Sequence, residues 1–178
     1  IVFAHAAVAA NKTLYVLGGQ HFTPGAGVGP SDAVYFTRTN ADGSPGEWTA
    51  TTPLPRAAFF LNAAFWNGRL YVTGGWNGVG LIPDVYSAAA LADGSLGPWR
   101  TETPLPEGVY THAAAAEGTL YVLGGIVNGG ADVRNDVYYA VIGADGALGP
   151  WTLTSPLPTP LSNLGSVVSD GRVYVVGG

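Results

Sequence analysis

Cysteine and methionine are both absent from this chain, lysine occurs once, at position 12, and charged residues make up only 11% of the sequence. The missing cysteines exclude disulfides, thiolate metal sites and a cysteine nucleophile, while leaving the compartment open. Seven Lys and Arg stand against twelve Asp and Glu, for a formal net charge of −5. No basic patch is available to neutralise phosphates or anionic lipid, so nucleic acid is not an expected partner. Long apolar runs are missing too. The opening IVFAHAAVAA is too short to span a bilayer and lacks the basic start of a signal peptide, so a strand is expected there and membrane insertion is not. Neither HExxH nor a cysteine–histidine cluster occurs, and GGWNGVG lacks the GxGxxG spacing. No metal and no cofactor are expected.

What remains is 47% apolar, with 27 glycines and 13 prolines among 178 residues. The apolar residues fall in short runs of Val, Tyr, Leu and Phe without helical spacing, which predicts an all-β chain of short strands and tight turns. The runs repeat. TLYVLGG at 13–19 returns as RLYVTGG at 69–75, TLYVLGG at 119–125 and RVYVVGG at 172–178. DAVYF, PDVYS and NDVYY place Tyr35, Tyr86 and Tyr138 at intervals of 51 and 52, and GEWTATTPLP, GPWRTETPLP and GPWTLTSPLP place Trp48, Trp99 and Trp151 at the same intervals. Each unit therefore carries four strands, a to d: an Ala-rich or Val-rich a, the LYVxGG run as b, the Tyr strand c and the Trp strand d. The units span 1–55, 56–106, 107–158 and a partial 159–178.

Strands a and b are joined by Asn67-Gly68, Glu117-Gly118 and Asp170-Gly171, and by a connection expected to be longer at Asn11-Lys12. Strands c and d are joined through ADGSPG, ADGSLG and ADGALG. Asp42, Asp93 and Asp145 recur there and are explained by an Asx hydrogen bond to the backbone. DGSPG and DGSLG approach the GxSxG nucleophile pattern, but the third copy has Ala147 in place of the serine, so they read as turns. A four-stranded unit with two apolar faces buries both only by stacking on neighbours, which predicts a β-propeller.

Gly-Gly closing strand b, Tyr in c and Trp opening d, in register about every fifty residues, resembles the kelch repeat, and the GPWxxxxPLP form of strand d is similar to bacterial or archaeal kelch proteins. The resemblance implies a glycine pair lying close to the next blade, Tyr and Trp packed between blades, and strand a lining a central channel. It also implies that three and a half blades belong to a larger six- or seven-bladed propeller, closed by further blades or by another chain.

Spacing separates scaffold from variable surface. Tyr to Trp is 13 residues in all three units, whereas the second glycine to Tyr is 16, 11 and 13. The b–c loops vary in length and chemistry, and loops on a rigid scaffold carry binding. Alternation puts the b–c loops and d–a links on one face. The candidate binding residues on it are His21 and Phe22, Trp76 and Asn77, Asn128, Asp132 and Arg134, with Arg56, Glu107 and Tyr110 following strands d. Aromatics beside amides and carboxylates suit a sugar ring or a protein hot spot. His5 and His112 are expected to share one position at the start of strand a with Asn62 and Gly165, in a structural role. Asn11-Lys12-Thr13 fits a glycosylation sequon.

The expected function is a non-catalytic module that recognises a protein or glycan through its b–c loops, at or outside the cell surface. Two alternatives stand beside it: a metal-independent carbohydrate-active enzyme, since kelch-type propellers include sialic acid mutarotases, and an architectural module of a surface protein or filament. Galactose oxidase, another kelch-type propeller, needs a cysteine that this chain lacks.

Overall fold

A computed structural model describes residues 2–23, 27–130 and 132–178. The first unit contains β1 (Val2–Phe3), β2 (Ala6–Ala10), β3 (Thr13–Leu17), β4 (Gln20–Thr23), β5 (Gly27–Pro30), β6 (Val34–Arg38) and β7 (Thr49–Ala50). The second contains β8 (Asn62–Trp66), β9 (Arg69–Thr73), β10 (Val85–Ala89) and β11 (Arg100–Thr101). The third contains β12 (Tyr110–Ala116), β13 (Thr119–Val127), a 3-10 turn at Asn128–Gly130, β14 (Asp132–Val141) and β15 (Thr152–Thr154), and β16 (Leu164–Ser169) and β17 (Arg172–Gly177) follow. Three antiparallel sheets run β2-β3-β6-β7, β8-β9-β10-β11 and β12-β13-β14-β15, and β16 pairs with β17. The innermost strands β2, β8, β12 and β16 are neighbours in that order. These are the blades of a propeller stacked about the a strands.

Alternation along one strand feeds two cores. In β9, Leu70 and Val72 pack with Tyr15, Leu17, Val34 and Leu61 between the first and second sheets, while Tyr71 packs with Leu120, Val122 and Leu148 between the second and third. Leu123, Val137 and Leu164 begin a third layer. Burying each such side chain contributes roughly 1.5–3 kcal/mol, and no single sheet supplies both walls of a core.

Hydrogen bonds repeat from blade to blade. Gly19, Gly75 and Gly125 donate their N–H to the carbonyls of Ala58, Val109 and Leu161 in the link to the next blade, at 2.8, 3.0 and 2.9 Å. The glycine before each has φ near +60°, and a Cβ on Gly18 would sit 2.7 Å from Ala58 O, one on Gly124 2.7 Å from Leu161 O. Only glycine meets both conditions. The Leu of each PLP donates back to its own unit, to the carbonyl three residues before the strand c Tyr: Leu54 to Asp32 O, Leu105 to Pro83 O and Leu157 to Asn135 O. Trp99 Nε1 donates to Thr52 O at 3.1 Å and Trp151 Nε1 to Thr103 O at 3.0 Å. Both indoles are half-buried between blades, as the repeat implies, whereas Trp48 is 45% exposed.

Several expectations need correction. The tyrosines that bridge blades most fully are those of strand b: Tyr15 and Tyr71 are buried and donate to Gly94 O and Gly146 O, each at 2.9 Å. The strand c tyrosines are more accessible, Tyr35 being 42% exposed. Asn11-Lys12 is no longer than its counterparts. Ala10 pairs Thr13 as Trp66 pairs Arg69, and both Asn11 and Lys12 take positive φ, 52° and 59°, in a two-residue turn. That turn shifts the first unit's register by one residue from the expected alignment. Ala6, Asn62, His112 and Gly165 therefore share a position, opposite Leu17, Thr73, Leu123 and Val176. His5 precedes β2 and is exposed, and the side chain of His112 lies outside the described residues. The c–d turns are as expected: Asp42, Asp93 and Asp145 accept from the N–H of Ser44, Ser95 and Ala147 at 3.0, 2.9 and 3.0 Å. The Ser44 hydroxyl and N–H hold Asp42 below the usual carboxylate range, and the Ala147 N–H does the same for Asp145.

Candidate functional site

The b–c loops and d–a links do share one face, because each link hydrogen-bonds a b–c loop. Two of those loops are not irregular. Gln20–Pro30 forms the β4–β5 hairpin, which adds β1 as a third strand, and β13 and β14 extend past Gly125 into a second hairpin. His21 and Phe22 ride on β4. Phe22 is 58% exposed, so it caps no core, while His21 is half-buried with its Nδ1 unpaired among the described residues. Asn128 and Asp132 lie at the tip of the second hairpin, where Asn128 Nδ2 donates to Asp132 Oδ2 and closes the turn. Pro24, Gly25 and Ala26 lie outside the described residues.

The shorter second loop is shaped by its own side chain. Asn77 Oδ1 accepts the N–H groups of Val79 at 3.0 Å and Gly80 at 2.9 Å, so this acceptor is occupied in the turn. Trp76 is half-buried and bridges Phe59 on one side and Leu81 on the other through its backbone.

Arg56 and Glu107 occupy the same place in successive links and meet successive blades. Arg56 Nε pairs with Asp84 Oδ2 at 3.0 Å, and that carboxylate accepts the Tyr86 hydroxyl at 2.8 Å. Burial, then the hydrogen bond and charge of Asp84, push the Tyr86 hydroxyl up to about 12. One blade on, Glu107, Arg134, Asp136 and Tyr138 border a small apolar cavity of about 20 Å³ floored by Leu105, Val109 and Val122. Arg134 Nε is buried there without a partner among the described residues. Burial, then the charges of Asp136 and Glu107, raise the Tyr138 hydroxyl against an opposing pull from Arg134.

The tenth candidate, Tyr110, stands apart from these outer positions. It stacks on Phe60 with ring centroids 4.8 Å apart and planes 17° from parallel, and Phe60 in turn lies 5.1 Å from Phe59. Ala4, Phe60, Tyr110 and Asn163 come from one repeat position in four successive units, ahead of strand a in three of them and its first residue in β12. With His5, Leu61 and Asn62 they border a cavity of about 130 Å³ at the mouth of the central channel. Phe60 N–H donates to Ala4 O at 2.8 Å, tying the first two blades together at this rim. Ala4, Phe60 and Asn163 all hold φ near +55°. That conformation is unusual for a bulky residue, and its recurrence makes it a demand of the repeat. The face therefore has a central aromatic pair flanked by amides and an outer ring of loop residues, of which Arg56 is paired with Asp84, and Asn77, Asn128 and Asp132 are engaged within their own loops.

Comparison with known proteins accords with this geometry. Kelch-like protein terF of Aspergillus terreus is 26% identical over 98% of this chain, and kelch repeat and BTB domain-containing protein 12 of Danio rerio is 31% identical over 93% of it. The chain spans 38% and 28% of the length of those two relatives. The solved structure titled "Structure of YjhT" superposes on 98% of this chain and 58% of that one, with a TM-score of 0.72 and 16% identity, a likeness of fold alone. No family model matches the sequence. Glycine pair, interblade tryptophan, period and relatives agree, and the chain belongs to the kelch-repeat family.

Proposed function

We propose that the chain is a non-catalytic recognition module that binds a protein segment across the face carrying the b–c loops. The observation that carries this reading is the stacked Phe60–Tyr110 pair at the channel mouth, with Phe22 58% exposed on a hairpin of the same face. Aromatics held on a rigid frame bury large area at little conformational cost, the pattern of interaction hot spots. Among the residues bordering the mouth cavity, His5 and Tyr110 are titratable and none is a carboxylate. That favours recognition over acid–base chemistry at this point. Selection of displayed random peptides on the folded protein tests the reading. Peptides that bind should lose at least about tenfold in affinity on Phe22→Ala or Tyr110→Ala, as hot-spot truncations do, with the melting temperature little changed. Peptides that bind both variants as well as the parent would end it.

A glycan is the second reading, supported by the amides of Asn62 and Asn163 beside the stacked rings; a place at or outside the cell surface belongs to it. Binding on a glycan array that is lost in Tyr110→Ala but kept in Phe22→Ala would select it over the first.

A further inference from the structure

On the opposite face, where the a–b and c–d turns lie, the propeller repeats one groove twice. The first copy, between the first and second blades, is bordered by Ala10, Asn11, Thr13, Tyr15 and Gly94 and encloses about 260 Å³; Arg38, where the second blade has Ala89, also borders it, with its Nη1 donating to Ala92 O at 3.3 Å. The second copy, one blade on, is bordered by Trp66, Asn67, Arg69, Tyr71 and Gly146 and encloses about 270 Å³. Position for position these residues correspond, through the register of β3 and β9. The shape is common to both, but the chemistry is not.

Where the first groove has Thr13 and Ala10, the second has Arg69 and Trp66. Three further departures from the repeat accompany that arginine. Ser87 stands where the first unit has Phe36, Glu102 where it has Thr51, and Arg100 where it has Thr49. They form one chain: Arg69 Nη2 donates to Ser87 Oγ at 2.9 Å, Ser87 Oγ to Glu102 Oε1 at 2.6 Å, and Arg100 Nε pairs with Glu102 Oε1 at 2.6 Å. Glu102 Oε2 accepts the N–H of Leu148 at 3.0 Å. The first interface gives the equivalent N–H, that of Leu96, to the Thr51 hydroxyl at 2.8 Å. Thr51 therefore fills the structural need with an uncharged side chain, and two arginines with a buried carboxylate exceed what stacking the blades requires.

The charged set is also incomplete. Arg69 Nε and Arg100 Nη2 are buried with no hydrogen-bond partner among the described residues. Buried donors of this kind call for an acceptor. Glu102 is already engaged by Ser87, Arg100 and Leu148. Asp145, at the exposed rim, gives Oδ1 to the Ala147 N–H and faces Arg100 with Oδ2 at 3.8 Å. Neither carboxylate is hydrogen-bonded to Arg69. A Cβ on Gly146 would strike the Arg69 side chain, so the absence of a side chain at that turn admits the arginine.

We propose that this second groove is a binding site for a small carboxylate, with Arg69 receiving the anionic group and the half-buried Trp66 packing against the body of the ligand. A guanidinium matches a carboxylate in charge and planar geometry. The volume lies just under the usual ligand-pocket range of roughly 300–1,000 Å³, which limits the guest to a small molecule or one acidic side chain of a partner. The site is on the face away from the b–c loops and does not depend on what those loops bind.

Amide and indole NMR spectra of the whole protein, titrated with sodium benzoate, test the assignment against the neutral isostere benzamide and against sodium chloride at equal ionic strength. Benzoate should shift the amides of Asn67, Gly146 and Ala147 and the indole of Trp66 saturably, and benzamide should do so about tenfold more weakly. The amides of Asn11 and Gly94 in the first groove should stay still. Arg69→Thr and Trp66→Ala install the first groove's own residues, and each should weaken benzoate by a similar factor. No saturable shift, equal shifts with benzamide, or benzoate binding unchanged in Arg69→Thr would overturn the proposal. The benzoate–benzamide comparison uses the unaltered protein and decides even where a variant fails to fold.

Discussion

Three residues carry unusual local chemistry, and two of them yield a measurable consequence. Lys12 holds φ at 59° in a turn whose counterparts place glycine at the same point, Gly68, Gly118 and Gly171. A side chain in the left-handed region costs about 1–2 kcal/mol, partly offset by the extra freedom glycine gives the unfolded chain. Lys12→Gly should therefore raise stability by about 0.5–1 kcal/mol in urea denaturation, and a loss of stability would mean the Lys12 side chain makes a contact worth more than the strain. Tyr86 offers a second test. Its hydroxyl is raised from 10.0 to about 12 in the folded state. A raised pKa stabilises the fold fully below the unfolded value and loses that contribution as pH climbs through the folded one. Stability should fall between roughly pH 10 and 12, and Tyr86→Phe should flatten part of that decline while leaving the share due to Tyr15 and Tyr71, whose hydroxyls burial also raises. A decline as steep in the variant as in the parent would remove Tyr86 as its cause. Phe60, in the left-handed region at the channel mouth, marks the limit of residue-scale reading from sequence. Ala4, Phe60, Tyr110 and Asn163 have no one chemistry common to all four, so what repeats there is a place and, at three of the four, a backbone conformation that no residue pattern betrays.

At the scale of strands and turns, the sequence is legible wherever packing or backbone geometry dictates residue type. The glycine pairs, the PLP corners and the Asp of each c–d turn are written plainly because one residue class alone satisfies each position. Interblade packing of Trp99 and Trp151 was legible for the same reason, and it can be measured against a control inside the chain. Trp99 fills the space between blades and hydrogen-bonds Thr52, while Trp48, at the same repeat position, is 45% exposed. Trp99→Ala should cost about 3 kcal/mol and Trp48→Ala less than about 1. Equal losses would contradict the interface drawn between the first two blades. The β4–β5 and β13–β14 hairpins were not legible, since QHFT and GVGP show no clean alternation and pair through main-chain groups. The one-residue shift that separates His5 from His112 was hidden for a related reason. Register is set by a turn, and Asn11-Lys12 resembles a loop more than it resembles Asn67-Gly68.

For the molecule as a whole, successive sheets form a row in which each interacts with the sheets beside it, so stability is distributed by position along that row. β9 has buried neighbours on both faces, with Leu70 and Tyr71 fully buried, while β17 has Tyr174 45% and Val176 67% exposed. Amide hydrogen exchange in the chain as described should therefore be slowest in β9 and β13 and fastest in β17. Protection of β17 equal to that of β9 would show that another surface covers it. The two interfaces also differ in kind. The one between the first and second blades has a single exposed arginine, Arg38, bonded to Ala92 O at its rim, and the one between the second and third contains the linked set of Arg69, Arg100 and Glu102. Such a difference between repeats is invisible to a search for what units share, which is why the candidate residues drawn from sequence all lie on the other face.

The bonds from Gly19, Gly75 and Gly125 to the carbonyls of Ala58, Val109 and Leu161 have an evolutionary meaning as well as a mechanical one. Every residue has a main-chain carbonyl, so the accepting half of the joint survives any substitution at 58, 109 or 161 that keeps the path of the chain. The joint asks for glycine on one side and for nothing in particular on the other. Neighbouring blades are thereby free to diverge without renegotiating how they fit. A relative with about a quarter of its residues in common can keep the same stack, and its loops and grooves can be rewritten one blade at a time.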